Sequence, residues 1–346
     1  MTREHLAAVL RDFGYELASH EPVTSGGSIN WTYFVHTTCS EWFVLQRVNT
    51  GVFKNVEALH ANIAQIEKYL HNQSERTCIP EFVRPPGTDR LFLRVGDGEV
   101  WRLQRRVMNV RTCFEDRVAT ARAVGDAFGG FFGALADMDT NALVETIPRF
   151  HDMSLRVEQL HRAVENDVCG RVVECRGLLK LLKWHEASML SFWQHTLQKM
   201  PRRVTHNDTN VDNVLLDATS GVATVIDLDT VMPGLAHSDF GDAIRALFRE
   251  SARFDDAVFR AFAQAWLSRA ASRLTHAECS TLHLAPAFMS YMQCLRFLSD
   301  YLCGDVYYHK TRPQQNLLRA RQHFELCRDL QLHERDMADA IASFVS

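Results

Sequence analysis

The most informative motif of the sequence is RVTHNDTNVDNVL, from Arg203 to Leu215. A second stretch, VIDLD at Val225 to Asp229, follows it closely. Both place Asp and Asn side chains directly beside short apolar runs. Three of these side chains, Asp208, Asn213 and Asp227, are candidate functional groups.

Periodicity predicts a β-hairpin in this region. Val214 to Asp217 is expected as one strand, Ala218 to Gly221 as the turn, and Val222 to Ile226 as the returning strand. In an antiparallel hairpin Asn213 then lies almost opposite Asp227, so both side chains reach the same open end.

The residue types at this end fit phosphoryl transfer. In the kinase template one Asp accepts the proton of the attacking hydroxyl, a later Asn binds magnesium, and a further Asp holds the metal below the phosphates. Asp208, Asn213 and Asp227 occupy these three places, and oxygen ligands suit Mg²⁺. Asp229 is predicted either to bind a second ion or to order the loop, and His206 to be a packed histidine that steadies it. A loop that only makes side-chain-to-backbone turns would need fewer polar groups.

Length and composition fit an enzyme-sized globular protein. The 346 residues are 46% hydrophobic and 23% charged, with a net charge of −4, which does not favour a nucleic-acid partner. The nine cysteines are scattered without a CxxC pair, so neither a disulfide framework nor a zinc site is predicted. The absence of a signal-peptide pattern and of a long apolar run predicts a cytoplasmic protein without membrane spans, expected as a monomer.

The order of elements predicts an α+β fold with two lobes, because strands come first and helices later. A helix after Asn55 is expected within the first part. The expected strands are Trp31 to Thr37, Glu41 to Val48, Leu91 to Val95 and Glu99 to Val107. The expected helical runs are Ala119 to Met138, Gly177 to Met200, Asp256 to Ala270 and Leu284 to Tyr301. We therefore predict an N-lobe over residues 1–107, with a small antiparallel sheet, and a mainly helical C-lobe over 108–346, joined by a hinge at Met108 to Val110.

Two features of the N-lobe bear on nucleotide binding. Gly26 and Gly27 precede a strand, where they form either a flap over phosphate or an ordinary hairpin turn. The kinase template also requires a cationic side chain on its third strand. Alternation along that strand places Gln46 rather than Arg47 on the face that would meet phosphate. The arginines at 102, 105 and 106 are predicted as a solvated strand face.

The sequence as a whole resembles the aminoglycoside-phosphotransferase and choline-kinase-like superfamily, and within it the N-acetylhexosamine 1-kinases. The blocks that carry this likeness lie in order over nearly the whole chain. They are GGSIN at 26–30, VLQRVNTGVF at 44–53, IPRFHD at 147–152, residues 204–213, residues 225–234, DFGDAIR at 239–245 and RFLSDYLCGDVYY at 296–308.

The resemblance implies a protein-kinase-like two-lobed fold, ATP with Mg²⁺, and phosphorylation of an N-acetylhexosamine at its anomeric hydroxyl. It also implies that Gln46 is the residue expected at its position, whereas the hinge departs from the group. The residues expected to bind nucleotide are Gly26, Gly27, Ser28, Asn30, Thr32, Gln46, Arg47, Met108 and Asn109. The metal is expected at Asn213, Asp227 and Asp229.

The acceptor is expected to meet polar side chains of the helical lobe, because hydroxyls are discriminated by hydrogen bonds. Beside Asp208, the residues predicted to bind it are Arg296, Tyr307 and Asp242. The alternative for Arg296 is an ion pair with Asp300, four residues later on the same helix.

Three other functions stay open from the sequence. The first is a kinase of another small hydroxyl compound, such as another sugar, an amino alcohol or an aminoglycoside. Cationic acceptors of that kind would demand a more acidic pocket. The second is a nucleotide-binding pseudokinase that acts as a scaffold, and the third is a metal-dependent hydrolase.

Overall fold

Apolar residues that alternate along the strands of the first lobe and recur at helical spacing in the second produce a two-lobed α+β fold. The computed structural model describes residues 1–23, 29–73, 77–111, 116–308 and 310–345. The strands are β1 Leu17–Pro22, β2 Trp31–Thr37, β3 Trp42–Arg47, β4 Phe82–Val83, β5 Leu93–Val95, β6 Glu99–Arg105, β7 Val110–Arg111, β8 Arg203–Thr205, β9 Val214–Asp217, β10 Ala223–Val225 and β11 Met232–Gly234. The helices are α1 Arg3–Asp12, α2 Val56–His71, α3 Arg117–Leu135, α4 Met153–Asn166, α5 Val172–His195, α6 Ala236–Phe248, α7 Asp256–Ala270, α8 His276–Thr281, α9 Ala285–Leu302, α10 Gln315–Leu332 and α11 Glu334–Val345.

The N-lobe sheet is antiparallel, with the order β1-β2-β3-β6-β4 and β5 paired to β6. Its two faces differ because side chains alternate along each strand. Phe43 and Leu45 of β3 pack with Trp101 of β6 beneath α1. Gln46 and Arg102, which pair across β3 and β6, lie on the other face, toward the C-lobe.

Helix α2 joins the two lobes. The Asn55 side chain accepts a hydrogen bond from the amide of Ala58, which caps the helix start as predicted. Ile63 and Ile66 on its buried face belong to the same hydrophobic core as the helices of the C-lobe. The lobes therefore share one core at α2.

The predicted hairpin is confirmed. β9 and β10 pair antiparallel with Val225 opposite Val214, and the amide of Ile226 donates to the carbonyl of Asn213 at 2.9 Å. β7 adds to the free edge of β9, so the predicted hinge leads directly into the sheet that carries the site.

Several elements were not predicted. Among them are β1, β4, the ladder between β8 and β11, and the helices α4, α6, α8, α10 and α11. Helix α6 is buried along nearly its whole length, so it lacks the polar stripe that marks a surface helix. No helix among the described residues combines the length and the apolar character needed to cross a bilayer.

Helices α3 and α7 approach closely because one face of α3 carries Gly125, Gly129 and Gly133 at intervals of four residues. A Cβ atom at Gly129 would lie 2.7 Å from the carbonyl oxygen of Trp266, whereas one at Gly130 would meet nothing within 4 Å. The contact thus depends on the missing side chains of one face only.

We expect Gly129→Ala to lower the free energy of unfolding by about 1–3 kcal/mol, because the two helices must separate to admit the methyl group. Gly130→Ala is the matched control, and the higher helix propensity of Ala should raise stability by about 0.5–1 kcal/mol. Urea unfolding of both variants measures the difference. Equal midpoints for the two would contradict this account of the helix contact.

Candidate active site

The loop that carries Asp208 is held by a buried carboxylate on the next helix. The two oxygens of Asp239 on α6 accept the backbone amides of His206 and Asn207, at 2.8 and 2.7 Å. Burial raises the pKa of Asp239 to about 7, although these two hydrogen bonds act in the opposite direction. Asn207 has a φ of 63°, so the chain turns sharply just before Asp208.

His206 is packed, as predicted. Its ring meets the edges of Phe128 and Phe131, and its Nε2 lies 2.9 Å from the carbonyl oxygen of Ile226. The amide of Asp208 donates to its Nδ1, so the ring joins the loop to the hairpin in a neutral form. Burial lowers the pKa of His206 to about 4, which agrees with a structural role.

Asp208 is half-buried beside Asn213. The Asn213 side chain donates from Nδ2 to the carbonyl oxygen of Asp208 at 2.9 Å and to its carboxylate at 3.4 Å. Burial, followed by the charge of Asp242, raises the pKa of Asp208 to about 6. A carboxylate with such a pKa is better placed to accept a proton near neutral pH than one in open water.

Asp227 lies at the open end of the hairpin. The strand register places Asn213 opposite Ile226, and Asp227 is the next residue along the chain. Its φ of 62° is in the left-handed region, which is sparsely populated by residues other than Gly and recurs at functional sites. The side chain is exposed on one side. Desolvation by the surrounding protein, followed by the charges of Asp229 and Asp208, raises the pKa of Asp227 to about 7.

A divalent cation fits this environment, because it would offset the mutual repulsion of the carboxylates that raises the pKa of Asp227. Among the described residues, no group of three or more His, Cys, Asp or Glu side chains is placed to hold a metal ion. The candidate site therefore consists of one amide, Asn213, and one carboxylate, Asp227. Mg²⁺ commonly binds in this way, with phosphate and water as its remaining ligands.

Asp229 has a different environment. Its carboxylate forms a two-point ion pair with the Arg102 guanidinium, with Nη2 at 3.0 Å from Oδ2. The Asn30 side chain donates to the same Oδ2 at 2.7 Å. Both oxygens are engaged, and the contacts are those of a residue that orders its loop, the second of the two predicted alternatives. We therefore leave Asp229 out of the proposed metal ligands.

Arg102 corrects the prediction of a solvated arginine face. It is 1% exposed and belongs to the face of β6 that looks toward the C-lobe, whereas Arg105 is exposed and pairs with Glu41 and Glu81. Alternation along β6 could have separated the two arginines, since they are an odd number of positions apart. The sequence does not indicate that Arg102 has a buried partner, Asp229, on the other lobe.

Gln46 and Arg47 lie on opposite faces of the sheet, as alternation predicted. The Gln46 side chain donates to Thr32 Oγ1 at 3.0 Å and accepts from Arg102 Nε and Gln104 Nε2 at 2.9 Å each. It therefore belongs to the network around Asp229. Which of the predicted residues contacts phosphate stays a prediction, but Asn30, Thr32 and Gln46 share the Arg102 network.

Arg47 points away from that network. Its guanidinium lies 4.0 Å from the centre of the Trp31 ring and pairs with Glu99 at 2.7 Å. The side chains of Glu57 and Glu67 on α2 pair with Arg94 and Arg84.

Asn109, in the predicted hinge, lies beside the hairpin turn. Met108 is half exposed, and Asn109 has a φ of 55°. The Asn109 carbonyl accepts the amide of Ala218 at 2.8 Å, and its side chain donates to Thr219 Oγ1 at 2.7 Å. Asn109 thus ties the hinge to the hairpin turn. The predicted phosphate residues Gly26, Gly27 and Ser28 lie outside the described residues.

Two of the predicted acceptor residues, Asp242 and Arg296, lie close enough to Asp208 to act on its charge. Asp242 on α6 is buried and accepts a hydrogen bond from Arg245 Nε at 2.7 Å. Burial raises its pKa, and the pairing with Arg245 more than offsets this, so the pKa of Asp242 lies below its ordinary value. The charges of Asp242, Arg245 and Arg296 all act on Asp208.

Arg296 is not paired with Asp300, so that alternative is wrong. The Asp300 carboxylate instead accepts the backbone amides of residues 306–308 and the side chain of Asn316, at 2.7 to 3.0 Å. These bonds fix the loop after α9 and place Tyr307 on the wall of a cavity shared with Arg296. A helical spacing of four predicted the wrong partner because backbone amides of the loop compete for the same carboxylate.

Two lobes joined at a hinge, a loop carrying Asp208 and a hairpin mouth with Asn213 and Asp227 define a kinase-like phosphotransferase fold. The chain belongs to the phosphotransferase enzyme family, whose model matches residues 21–272, well over half of its length. The predicted superfamily and fold class are therefore confirmed, and the narrower likeness to N-acetylhexosamine 1-kinases stays a prediction.

Solved structures agree on the fold. An aminoglycoside phosphotransferase from Alicyclobacillus acidocaldarius subsp. acidocaldarius DSM 446 is similar with a TM-score of 0.66 and 13% identity, over 97% of this chain and 96% of that one. A microcompartment-associated aminopropanol kinase gives 0.63 and 13%, over 97% and 99%. An amicoumacin kinase in complex with AMP-PNP, Ca²⁺ and Ami gives 0.63 and 11%, over 94% and 96%. At these identities the likeness concerns the fold alone.

Proposed function

We propose that this protein transfers the γ-phosphoryl group of ATP to the anomeric hydroxyl of an N-acetylhexosamine, such as N-acetylglucosamine or N-acetylgalactosamine. In this proposal the N-lobe, residues 1–107, covers the nucleotide, and the C-lobe, residues 108–346, holds the metal and the sugar. Membership of the phosphotransferase enzyme family supports the reaction type. The choice of acceptor depends on the charges around Asp208.

The observation that carries the choice of acceptor is a pair of arginines in one cavity, of which Arg296 acts on the charge of Asp208. Arg296 and Arg156 both border this cavity, and within the described chain neither pairs with a carboxylate. An amino alcohol or an aminoglycoside brings positive charge, which these arginines would repel. A neutral sugar hydroxyl can instead accept hydrogen bonds from guanidinium groups.

Asp208 serves as the base in this mechanism. An anomeric hydroxyl is more acidic than an ordinary alcohol, so Asp208 mainly orients it and accepts its proton late in the transfer. Asn213 and Asp227 would hold Mg²⁺, which when bound neutralises charge on the phosphates. Positioning and electrostatic stabilisation supply most of the rate enhancement.

The Asp229 network would place the nucleotide relative to this loop. Asn30 and Arg102 connect the N-lobe sheet to Asp229, two residues after the proposed metal ligand Asp227. Thr32 and Gln46 adjoin the same network and are the proposed neutral phosphate donors of this lobe. Met108 would offer its backbone to adenine.

We expect a panel of acceptors to separate this proposal from its alternative. With ATP and Mg²⁺, N-acetylglucosamine or N-acetylgalactosamine should give ADP at least tenfold faster than ethanolamine, aminopropanol or kanamycin at equal concentration. The phosphorus NMR spectrum of the product should show coupling to the anomeric proton. Faster turnover of any amine would replace the sugar proposal with the amino-alcohol or aminoglycoside alternative, and no turnover with any acceptor would favour the scaffold alternative.

A further inference from the structure

A cavity of about 570 Å³ adjoins the proposed acceptor site at Arg296. It lies between α4 and the end of α9, and its size is within the range of small-molecule sites. The residues on its polar side include Arg156, Arg296, Ser299, Asp300 and Tyr307. Arg296 also acts on the charge of Asp208, so this one side chain links the cavity to the catalytic loop.

The cavity wall carries unbalanced positive charge. Asp300 is the one carboxylate among the described residues that line it, and its oxygens are already engaged by the loop amides and Asn316. Arg162 pairs with Glu158 at the surface, at 2.7 Å. Arg156 and Arg296 are left without an acidic partner within the described chain.

The two arginines are close enough to act on each other. Burial, followed by the charge of Arg296, lowers the pKa of Arg156 to about 10. Asp152, the acidic side chain that acts on Arg156, is itself paired with Arg149 at 2.6 Å. Like charges at one cavity wall repel each other, and an anion bound between the two guanidinium groups would relieve this repulsion.

Unsatisfied polar atoms mark the same place. Arg156 Nε and Ser299 Oγ are buried without a hydrogen-bond partner among the described residues. Ser299 lies three residues after Arg296 on α9, so both side chains project from one face of that helix. The remaining Arg156 nitrogens are fixed, since Nη1 donates to Gln159 at 2.9 Å and Nη2 to the carbonyl oxygen of Phe150.

Contacts with neighbouring side chains also fix the position of Arg296. Nη1 donates to Gln293 Oε1 at 3.1 Å, and the guanidinium lies 5.0 Å from the centre of the Phe150 ring and 5.7 Å from that of Tyr308. The aromatic rings offer no oxygen acceptor to the remaining N–H donors of Arg296, and an oxyanion would satisfy these donors. A rigid pair of guanidinium groups suits a planar or tetrahedral oxyanion better than it suits a single hydroxyl.

We propose that Arg156, Arg296 and Ser299 form a subsite for an oxyanion substituent on the acceptor sugar, a carboxylate or a sulfate or phosphate ester, away from its anomeric carbon. This inference rests on the proposed function, since it names the class of sugar that the site takes. The enzyme would then favour an acidic amino sugar over its neutral parent. The transfer at the anomeric hydroxyl is unchanged.

The test compares N-acetylglucosamine with its 6-sulfate and with N-acetylglucosaminuronic acid, by kcat/KM from ADP release. We expect one of the charged sugars to be preferred by about ten- to a hundredfold, the range that hydrogen bonds to a charged group give. The arm that is preferred identifies the ester or the carboxylate. Equal or lower kcat/KM for both charged sugars would overturn the subsite.

Variants of Arg156 supply the second measurement. Arg156→Gln should bring the ratio of charged to neutral kcat/KM close to one, and Arg156→Lys should keep part of the preference because the charge remains. Arg260→Gln is the matched control, since Arg260 pairs with Asp256 on the surface of α7. A ratio in Arg156→Gln equal to that of the Arg260→Gln control would also overturn the assignment.

Calorimetric binding separates failure of the subsite from failure of the proposed function. If no sugar is phosphorylated but N-acetylglucosamine 6-sulfate still binds more tightly than N-acetylglucosamine, and Arg156→Gln removes the difference, the kinase proposal fails and the subsite stands. Inorganic sulfate tests for a free anion. If sulfate alone binds as tightly as the sulfated sugar, in an Arg156-dependent way, the substituent proposal is wrong.

Discussion

Asp208→Asn is expected to lower turnover of the sugar by about two to four orders of magnitude, the range typical for loss of a general base. The amide keeps the shape of the carboxylate, so the hydrogen bonds from Asn213 can persist in part. It cannot accept the proton of the attacking hydroxyl. Sugar-phosphate formation measured at saturating ATP gives the loss.

A matched variant separates the role of Asp208 from a general loss of acidic charge. Asp212→Asn makes the same change four residues later, where the side chain is 70% exposed and pairs with Arg249. Turnover in that variant should stay within about twofold, since exposed ion pairs contribute little. ATP binding should be retained in both. Wild-type turnover in Asp208→Asn would remove Asp208 from its proposed role.

The parts of the site that were predictable from the sequence are local. A strand, a turn and a returning strand set the relation of Asn213 to Asp227, and strand alternation separated Gln46 from Arg47. Both inferences need only the two-residue period of a β-strand and the residue types that favour a turn. The α+β order of elements gave the two lobes in the same way.

The parts that were missed depend on contacts between distant segments. Asp239 holds the catalytic loop from α6, and Arg102 reaches Asp229 from the other lobe, 127 positions apart in the chain. No periodicity marks a pair of this kind. The nearest signal for Arg102 was its alternation with Arg105, which places the two arginines on opposite faces.

The competition for Asp300 shows a further limit. Spacing along α9 allowed an ion pair with Arg296, but the loop after the helix turns back and offers its amides to the same carboxylate. Helical spacing identifies one possible partner for the Asp300 carboxylate, but it does not consider other groups that could bond to the same carboxylate. Arg296, which is left without an acidic partner among the described residues, is the basis for both the acceptor and the subsite proposals.

Arg102→Met is expected to lower the free energy of unfolding by about 3–5 kcal/mol, the cost of leaving one member of a buried ion pair without its partner. The Asp229 carboxylate is 2% exposed and would keep only the hydrogen bond from Asn30 among the contacts described above. Gln46 would also lose the donor Arg102 Nε. Urea or thermal unfolding measures the change in stability.

Arg105→Met on the same strand is the control, and it should cost at most about 1 kcal/mol because Arg105 pairs with Glu41 and Glu81 near the surface. The double variant Arg102→Met/Asp229→Asn should recover part of the loss, since a neutral amide is far easier to bury than a carboxylate without its cation. Recovery of this kind would show that the loss comes from a buried carboxylate without its cation. A simple packing defect would not be relieved by the second substitution. If Arg102→Met costs no more than Arg105→Met, the ion pair between the lobes is not what stabilises the loop that carries Asp227.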